Sequence, residues 1–137
     1  MTDLTAELTV GDVIAERTVH LTRESLVRYA GASGDFNPIH YRDDVAASVG
    51  LPGVLAHGML TMGIASSVVL AALPADVRLI DYGVRFTKPV VVDPETGADV
   101  HVVAKVGVVD ESSARIDLTV KSAETTVLVK AQLRVAL

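Results

Sequence analysis

The run Gly34-Asp35-Phe36-Asn37-Pro38-Ile39-His40 sets a carboxylate, a carboxamide and an imidazole within six residues of a chain bent by glycine and proline. Asn37-Pro38 tightens the turn between Asp35 and His40, so both side chains can reach one water molecule. A histidine paired with a carboxylate is a common means of activating water near neutral pH. The same residue types also serve in plain turns, where Asp and Asn side chains bond nearby backbone. The cluster therefore reads as a water-activating pair or as an ordinary turn. A second polar punctuation, Ala56-His57-Gly58, opens the longest apolar stretch of the chain. Backbone N–H groups at a helix start are unpaired and carry partial positive charge, so the Gly58 amide would stabilise an oxyanion developing on a carbonyl placed there. His57, at the threshold of that helix, is read as capping or packing rather than reacting. Ser66, two turns on, either donates to a substrate or bonds back within its own helix.

These residues need elements to hold them. The helix opened by His57-Gly58 lies in a segment, Val45 to Ala75, without Asp, Glu, Lys or Arg. Its part from Ala56 to Leu73 would run about 27 Å as a helix, near the length at which membrane spans begin. Pro52, the glycines, His57, Thr61, Ser66 and Ser67 argue against a span. The expectation is instead a central helix buried on nearly all sides by its own protein, and no membrane partner.

What would wrap it is legible downstream. Ile80, Tyr82, Val84 and Phe86 alternate with more polar neighbours, as do Val100 to Val108, then Ala114, Ile116, Leu118 and Val120, then Val127, Val129, Ala131, Leu133 and Val135. The breaks Asp93-Pro94-Glu95-Thr96-Gly97, Asp110-Glu111-Ser112-Ser113 and Ala123-Glu124-Thr125 are short and polar, which predicts hairpins and a C-terminal meander. Upstream, a strand over about Asp12 to His20 leads to Thr22 as an N-cap with Glu24 in the first turn. The helix that follows carries Leu26, Val27 and Ala30, and Gly31 and Gly34 end it. A short helix from about Arg42 to Val49 precedes the Gly50-Leu51-Pro52-Gly53 turn. The whole predicts an α+β layer architecture in which an antiparallel sheet of about five strands curls around one long helix.

Composition bounds the rest. The 137 residues suit a single domain over 1–137, half of them apolar. A net charge of −5 and a pI of about 5.2 offer no basic excess for nucleic acid. The absence of cysteine removes disulfides, thiolate catalysis and zinc-thiolate sites. Met1 to Glu7 lacks the basic and apolar regions of a secretory signal, so a cytoplasmic protein is expected.

The run Tyr29 to His40 resembles the signature of the (R)-specific enoyl-CoA hydratases, also called hydratase 2 or MaoC-like dehydratases, which have the hot dog fold. Ala56-His57-Gly58-Met59-Leu60 resembles the start of that family's central helix, and Val84 to Val90 its next strand. Within the family the chain most resembles the B-type catalytic subunit of mycobacterial (3R)-hydroxyacyl-ACP dehydratases. The resemblance implies a single hot dog unit without a fused second one. It assigns Asp35 and His40 as the catalytic pair, the Gly58 amide as the oxyanion donor, Asn37 as the residue that holds the loop, and Ser66 as a substrate-binding serine with Thr61 and Ser67 as competing donors. The implied reaction is reversible hydration of a trans-2-enoyl thioester, carried on CoA or ACP, to the (R)-3-hydroxyacyl thioester. No metal or other cofactor is expected, because the thioester itself accepts electrons as an enolate. A homodimer, or a heterodimer with a related hot dog subunit, is implied, with higher oligomers open. The rival readings are a hot dog acyl thioesterase and a non-catalytic acyl-binding partner subunit.

Overall fold

The computed structural model of the chain describes residues 7–137, so Met1 to Ala6 of the N-terminal run read above lie outside the described residues. Strand β1 (Val13–Leu21) is followed by helix α1 (Arg23–Ser33), a 3-10 turn (Pro38–His40), helix α2 (Asp43–Ser48) and helix α3 (Gly58–Ala71). Four strands complete the chain: β2 (Arg78–Phe86), β3 (Ala98–Val109), β4 (Ser113–Ser122) and β5 (Thr125–Ala136). This is the expected α+β hot dog arrangement, a five-stranded antiparallel sheet with one long helix against it.

Local chemistry explains the N-terminal elements. Thr22 caps α1 through a reciprocal box, its hydroxyl accepting from the Ser25 N–H while the Ser25 hydroxyl accepts from the Thr22 N–H. The helix runs through Gly31, contrary to expectation, and stops at Gly34, whose φ of 78° is the left-handed conformation that glycine adopts without strain. At its start Arg23 binds both carboxylate oxygens of Asp43 and donates to the Val92 carbonyl, tying α1, α2 and the connection before β3 together.

The sheet order is β1-β3-β4-β5-β2, which corrects the four-strand meander. Only β3, β4 and β5 follow one another through hairpins. Strand β2 pairs with β5 at the far edge, and residues 87–97 then cross to β3. Asp93 to Gly97 is a tight turn within this connection, its two ends bridging each other. Turn residues reveal where a chain reverses but not which strand it joins. An eleven-residue link reaches up to about 36 Å when extended, ample for the roughly 14 Å across three strand spacings.

Bulges bend the sheet around the helix. The pairing register slips twice between β2 and β5, once between β3 and β4 and twice between β4 and β5. At one slip Lys130 takes φ 48°, and the simple alternation predicted for β5 breaks: Leu128 is 2% exposed, whereas Val129 is only half-buried. Along β4 and along β3 as far as Val106 the alternation holds, and Val100, Val102, Ala104, Ile116, Val120 and Leu133 build the core, whereas on β2 Ile80 and Phe86 of the expected apolar set are each 55% exposed.

Helix α3 departs further from expectation. Thr61, Ala65, Val68 and Val69 are buried, but Met59 is 60% exposed, and Gly63, Ser67 and Ala71 share its open face. The absence of charge in this segment had suggested burial all round. Within one chain the sheet covers only one side. No helix among the described residues is long and apolar enough to cross a membrane.

Candidate active site

The loop after α1 is built from side chains that substitute for backbone partners. Asp35 Oδ1 accepts from the Asn37 N–H (3.1 Å), and Asn37 Oδ1 accepts from the Ile39 N–H (3.2 Å), capping the 3-10 turn that Pro38 opens. The turn reading is thus correct for these residues, and the turn also aims His40. The His40 ring is buried, while the Asp35 side chain is 53% exposed.

Carbonyl partners fix both histidine tautomers. His40 Nδ1 lies 2.6 Å from the Leu55 carbonyl, which can only accept, so Nδ1 carries the proton and Nε2 of the neutral ring presents a lone pair. His57 Nε2 lies 3.1 Å from the Asp35 carbonyl and must likewise donate. The segment bearing these partners is clamped on both sides: the Leu55 N–H donates to the Ile39 carbonyl, the Ala56 N–H to Val90, and the Val92 N–H to Val54.

His40 Nε2 stands 3.9 Å from Asp35 Oδ2. That is too long for a direct hydrogen bond and open enough for one water between them. His57, 1% exposed, stacks on His40 with ring centroids 3.8 Å apart, and its ring and that of Tyr29 meet edge-on at 4.7 Å. It therefore packs, as expected from its place at the helix start, but makes no capping bond with its side chain. Instead it fixes the backbone of Asp35 and the plane of His40. Burial holds the His57 pKa below the ordinary histidine value, assisted by the neighbouring His40 charge and opposed by the Asp35 carbonyl and carboxylate. Its Nδ1 is buried without a partner, so a proton there would find no acceptor.

Asp35, His40 and His57 offer ligand-type atoms within 4.8 Å of one another. A bound ion would have to lie in both imidazole planes about 2 Å from each nitrogen. Rings stacked at 23° have nearly parallel planes that meet only well beyond the rings, and His57 Nε2 is already committed to Asp35. The arrangement suits a water better than a metal.

Gly58 is the first residue of α3, and its N–H finds no acceptor within the helix. A Cβ there would stand 3.0 Å from the Phe86 ring. Both residues line a cleft of about 320 Å³, together with His40, Thr61, Lys88 and Leu128. Ser66 does not line it. Its hydroxyl donates to the Gly63 carbonyl (2.9 Å), the back-bonding alternative foreseen for it, and Ser67 donates to the same oxygen. Of the competing donors only Thr61 reaches the cleft. The walls supplied by Phe86 to Val90 and by Val127 and Leu128 were not singled out as site residues. Phe86 ends β2, Thr87 to Val90 lie in the connection after it, and Val127 and Leu128 lie on β5, all remote in sequence from the polar loop.

A family model described as "MaoC like domain" matches residues 6–126. The chain belongs to the MaoC-like domain family. This MaoC-like chain is 39% identical over 79 residues to 3-hydroxyacyl-thioester dehydratase X of Mycobacterium tuberculosis, a match covering 58% of this chain and 27% of the relative. It is 33% identical over 88 residues to the mitochondrial 3-hydroxyacyl-[acyl-carrier-protein] dehydratase of Arabidopsis thaliana, covering 64% of this chain and 52% of the relative. The matches thus span about a quarter and about half of these relatives' own lengths. Among solved structures, R-hydratase PhaJ1 of Pseudomonas aeruginosa superposes with a TM-score of 0.82 at 29% identity, covering 96% of this chain and 83% of PhaJ1.

Proposed function

We propose that this chain is a hydro-lyase that interconverts trans-2-enoyl and (R)-3-hydroxyacyl thioesters, carried on CoA or on an acyl carrier protein. The observation that carries the reading is the 3.9 Å gap between His40 Nε2 and Asp35 Oδ2, with Nδ1 occupied by the Leu55 carbonyl. In hydration, a water in that gap gives a proton to His40 Nε2 as its oxygen bonds to C3 of the enoyl group. The C2–C3 π electrons move toward the carbonyl, and the resulting enolate oxygen takes a hydrogen bond from the Gly58 N–H. Asp35 orients the water and relays that proton from His40 Nε2 to C2, which restores the thioester carbonyl and the neutral imidazole. Dehydration runs the same steps backwards. Asn37 keeps the loop in shape, His57 keeps the pair in register, and the apolar cleft beside Phe86 and Leu128 receives the start of the acyl chain. The names of the two dehydratases and the R-hydratase support the reaction class.

The working unit in this reading is a two-fold pair of hot dog units. The open face of α3 and the free edge of β2, where Ile80 and Phe86 are each 55% exposed, favour a partner.

The deciding experiment offers the purified protein crotonyl-CoA, a longer enoyl-CoA and the corresponding acyl carrier protein thioesters. Loss of the conjugated absorbance with formation of the (R)-3-hydroxy product is expected. Release of free thiol without hydration would replace this reading with a thioesterase, and an (S) product or inertness toward every carrier would refute it.

A further inference from the structure

We infer that the free edge of β2 carries a self-complementary charge code, Asp81 and Arg85 placed symmetrically about Gly83, which selects a second copy of this chain as the partner. The inference rests on the proposed pairing of hot dog units and names the partner and its register.

Among the described residues strand β2 bonds only to β5, so its other edge presents backbone groups without a strand partner there. Tyr82 and Val84 face the helix side, where both pack on the core and the Tyr82 hydroxyl donates to the Met62 carbonyl. By strand alternation Asp81, Gly83 and Arg85 face the opposite side of the sheet. Asp81 and Arg85 are exposed, and neither makes an ion pair among the described residues. Arg134 stands across from Asp81 on β5, but its guanidinium is turned to Asp110 and Ser113.

When β2 pairs antiparallel with its own copy, a two-fold axis perpendicular to the sheet keeps both α3 helices on one face. Such an axis passes midway between one residue of the strand and its copy and sets residues on the same face opposite each other. Few registers are possible. Centred on Asp81, two carboxylates meet; centred on Arg85, two guanidinium groups meet. Centred on Tyr82 or Val84, each charge stands opposite an uncharged residue. Centred on Gly83, Asp81 of each copy stands opposite Arg85 of the other, twice over, and Tyr82 stands opposite Val84 on the helix side. The bare Gly83 backbone lies at the axis between the two ion pairs. A partner with a different strand would have to reproduce this spacing of opposite charges.

The test uses charge reversal in the full chain, with dimer dissociation followed by sedimentation and native mass spectrometry. D81R and R85D alone each place two like-charge pairs in the interface and should raise the dimer Kd at least ~10-fold. Mixing the two variants pairs Arg with Asp at both positions. It should yield the mixed dimer in preference to either homodimer, with affinity within ~3-fold of wild type. The D81R/R85D double variant should recover self-association, and high salt should weaken the contrast between matched and mismatched pairs. Circular dichroism checks folding; should a reversal variant fail to fold, D81N and R85Q carry the test, each expected to weaken the dimer less than a reversal does. A wild-type chain that stays monomeric, single variants that dimerise like wild type, or a mixture without preference for the mixed dimer would overturn the inference. Asp81 and Arg85 lie outside the cleft lining. A failed charge code therefore leaves the hydration assay standing, and failed hydration leaves this assembly test standing.

Discussion

If one water bridges Asp35 and His40, removing either side chain should already release it. A water about 2.8 Å from both His40 Nε2 and Asp35 Oδ2, 3.9 Å apart, would see them at an angle of roughly 90°, close to what two of its hydrogen bonds prefer. With one partner gone, His57 Nε2 cannot take its place, since it already serves the Asp35 carbonyl. D35N retains an amide oxygen to accept from the Asn37 N–H, so the turn should survive; H40Q removes the base. Each should lower kcat at least ~10²-fold, about 2.7 kcal/mol of transition-state stabilisation. Independent contributions would multiply to ~10⁴ in the double variant. A shared water predicts a double variant within ~3-fold of the weaker single one, a coupling of about 2 kcal/mol or more. Enoyl-thioester hydration, followed by loss of conjugated absorbance with all four proteins at saturating substrate, gives the complete cycle. Multiplicative losses would show that the two residues act on separate events, and near-wild-type rates in either single variant would remove that residue from the chemistry.

Three further outcomes follow from the same geometry. H57A leaves the Asp35 carbonyl without its donor and opens a void beside His40 and Tyr29, and should cost about 2–4 kcal/mol in urea unfolding. Because burial lowers the His57 pKa in the folded chain, the unfolded state binds the extra proton first. Stability should fall as pH drops below about 6.5 and be unaffected by this group above it, a dependence that H57F should lose when urea unfolding is compared at about pH 7.5 and about pH 5.5. Ser66 bonds back to Gly63 and Thr61 reaches the cleft, so S66A should change kcat/KM less than ~3-fold and T61V more, measured on the same enoyl substrates.

Much of this molecule is local enough to be legible in its sequence. The capping Thr22, the stop at Gly34, the alternation of β3 and β4 and the closeness of Asp35 to His40 each depend on neighbours a few residues away. The features that escaped depend on distant partners. Strand β2 looks like the first arm of a meander until its pairing with β5 is seen. The Lys130 bulge exchanges the burial of Leu128 and Val129 without any glycine or proline to announce it. His57 was legible as a packing residue, yet its hold on the Asp35 carbonyl spans 22 residues of chain. An uncharged helix face reads the same in sequence whether its own sheet or another surface covers it, which is why the open side of α3 reads as core.

The pairing of β1 with β3 also dictates when the site can exist. Its partners stand between 77 (98 − 21) and 92 (105 − 13) positions apart in sequence, so the loop of Asp35 and His40 lies inside one of the longest closures in the chain. The loop is in turn held by Leu55, whose neighbours Val54 and Ala56 lean on Val92 and Val90. From His40 to the end of β3 is 69 residues (109 − 40). At 5–20 residues per second a ribosome needs roughly 3–14 s to cover that distance. For that interval Asp35 and His40 belong to a nascent segment without its complete closing strand, and for the first 52 residues of it (92 − 40) without the last of its clamp residues, so the proposed water-holding geometry follows well after its own residues are made.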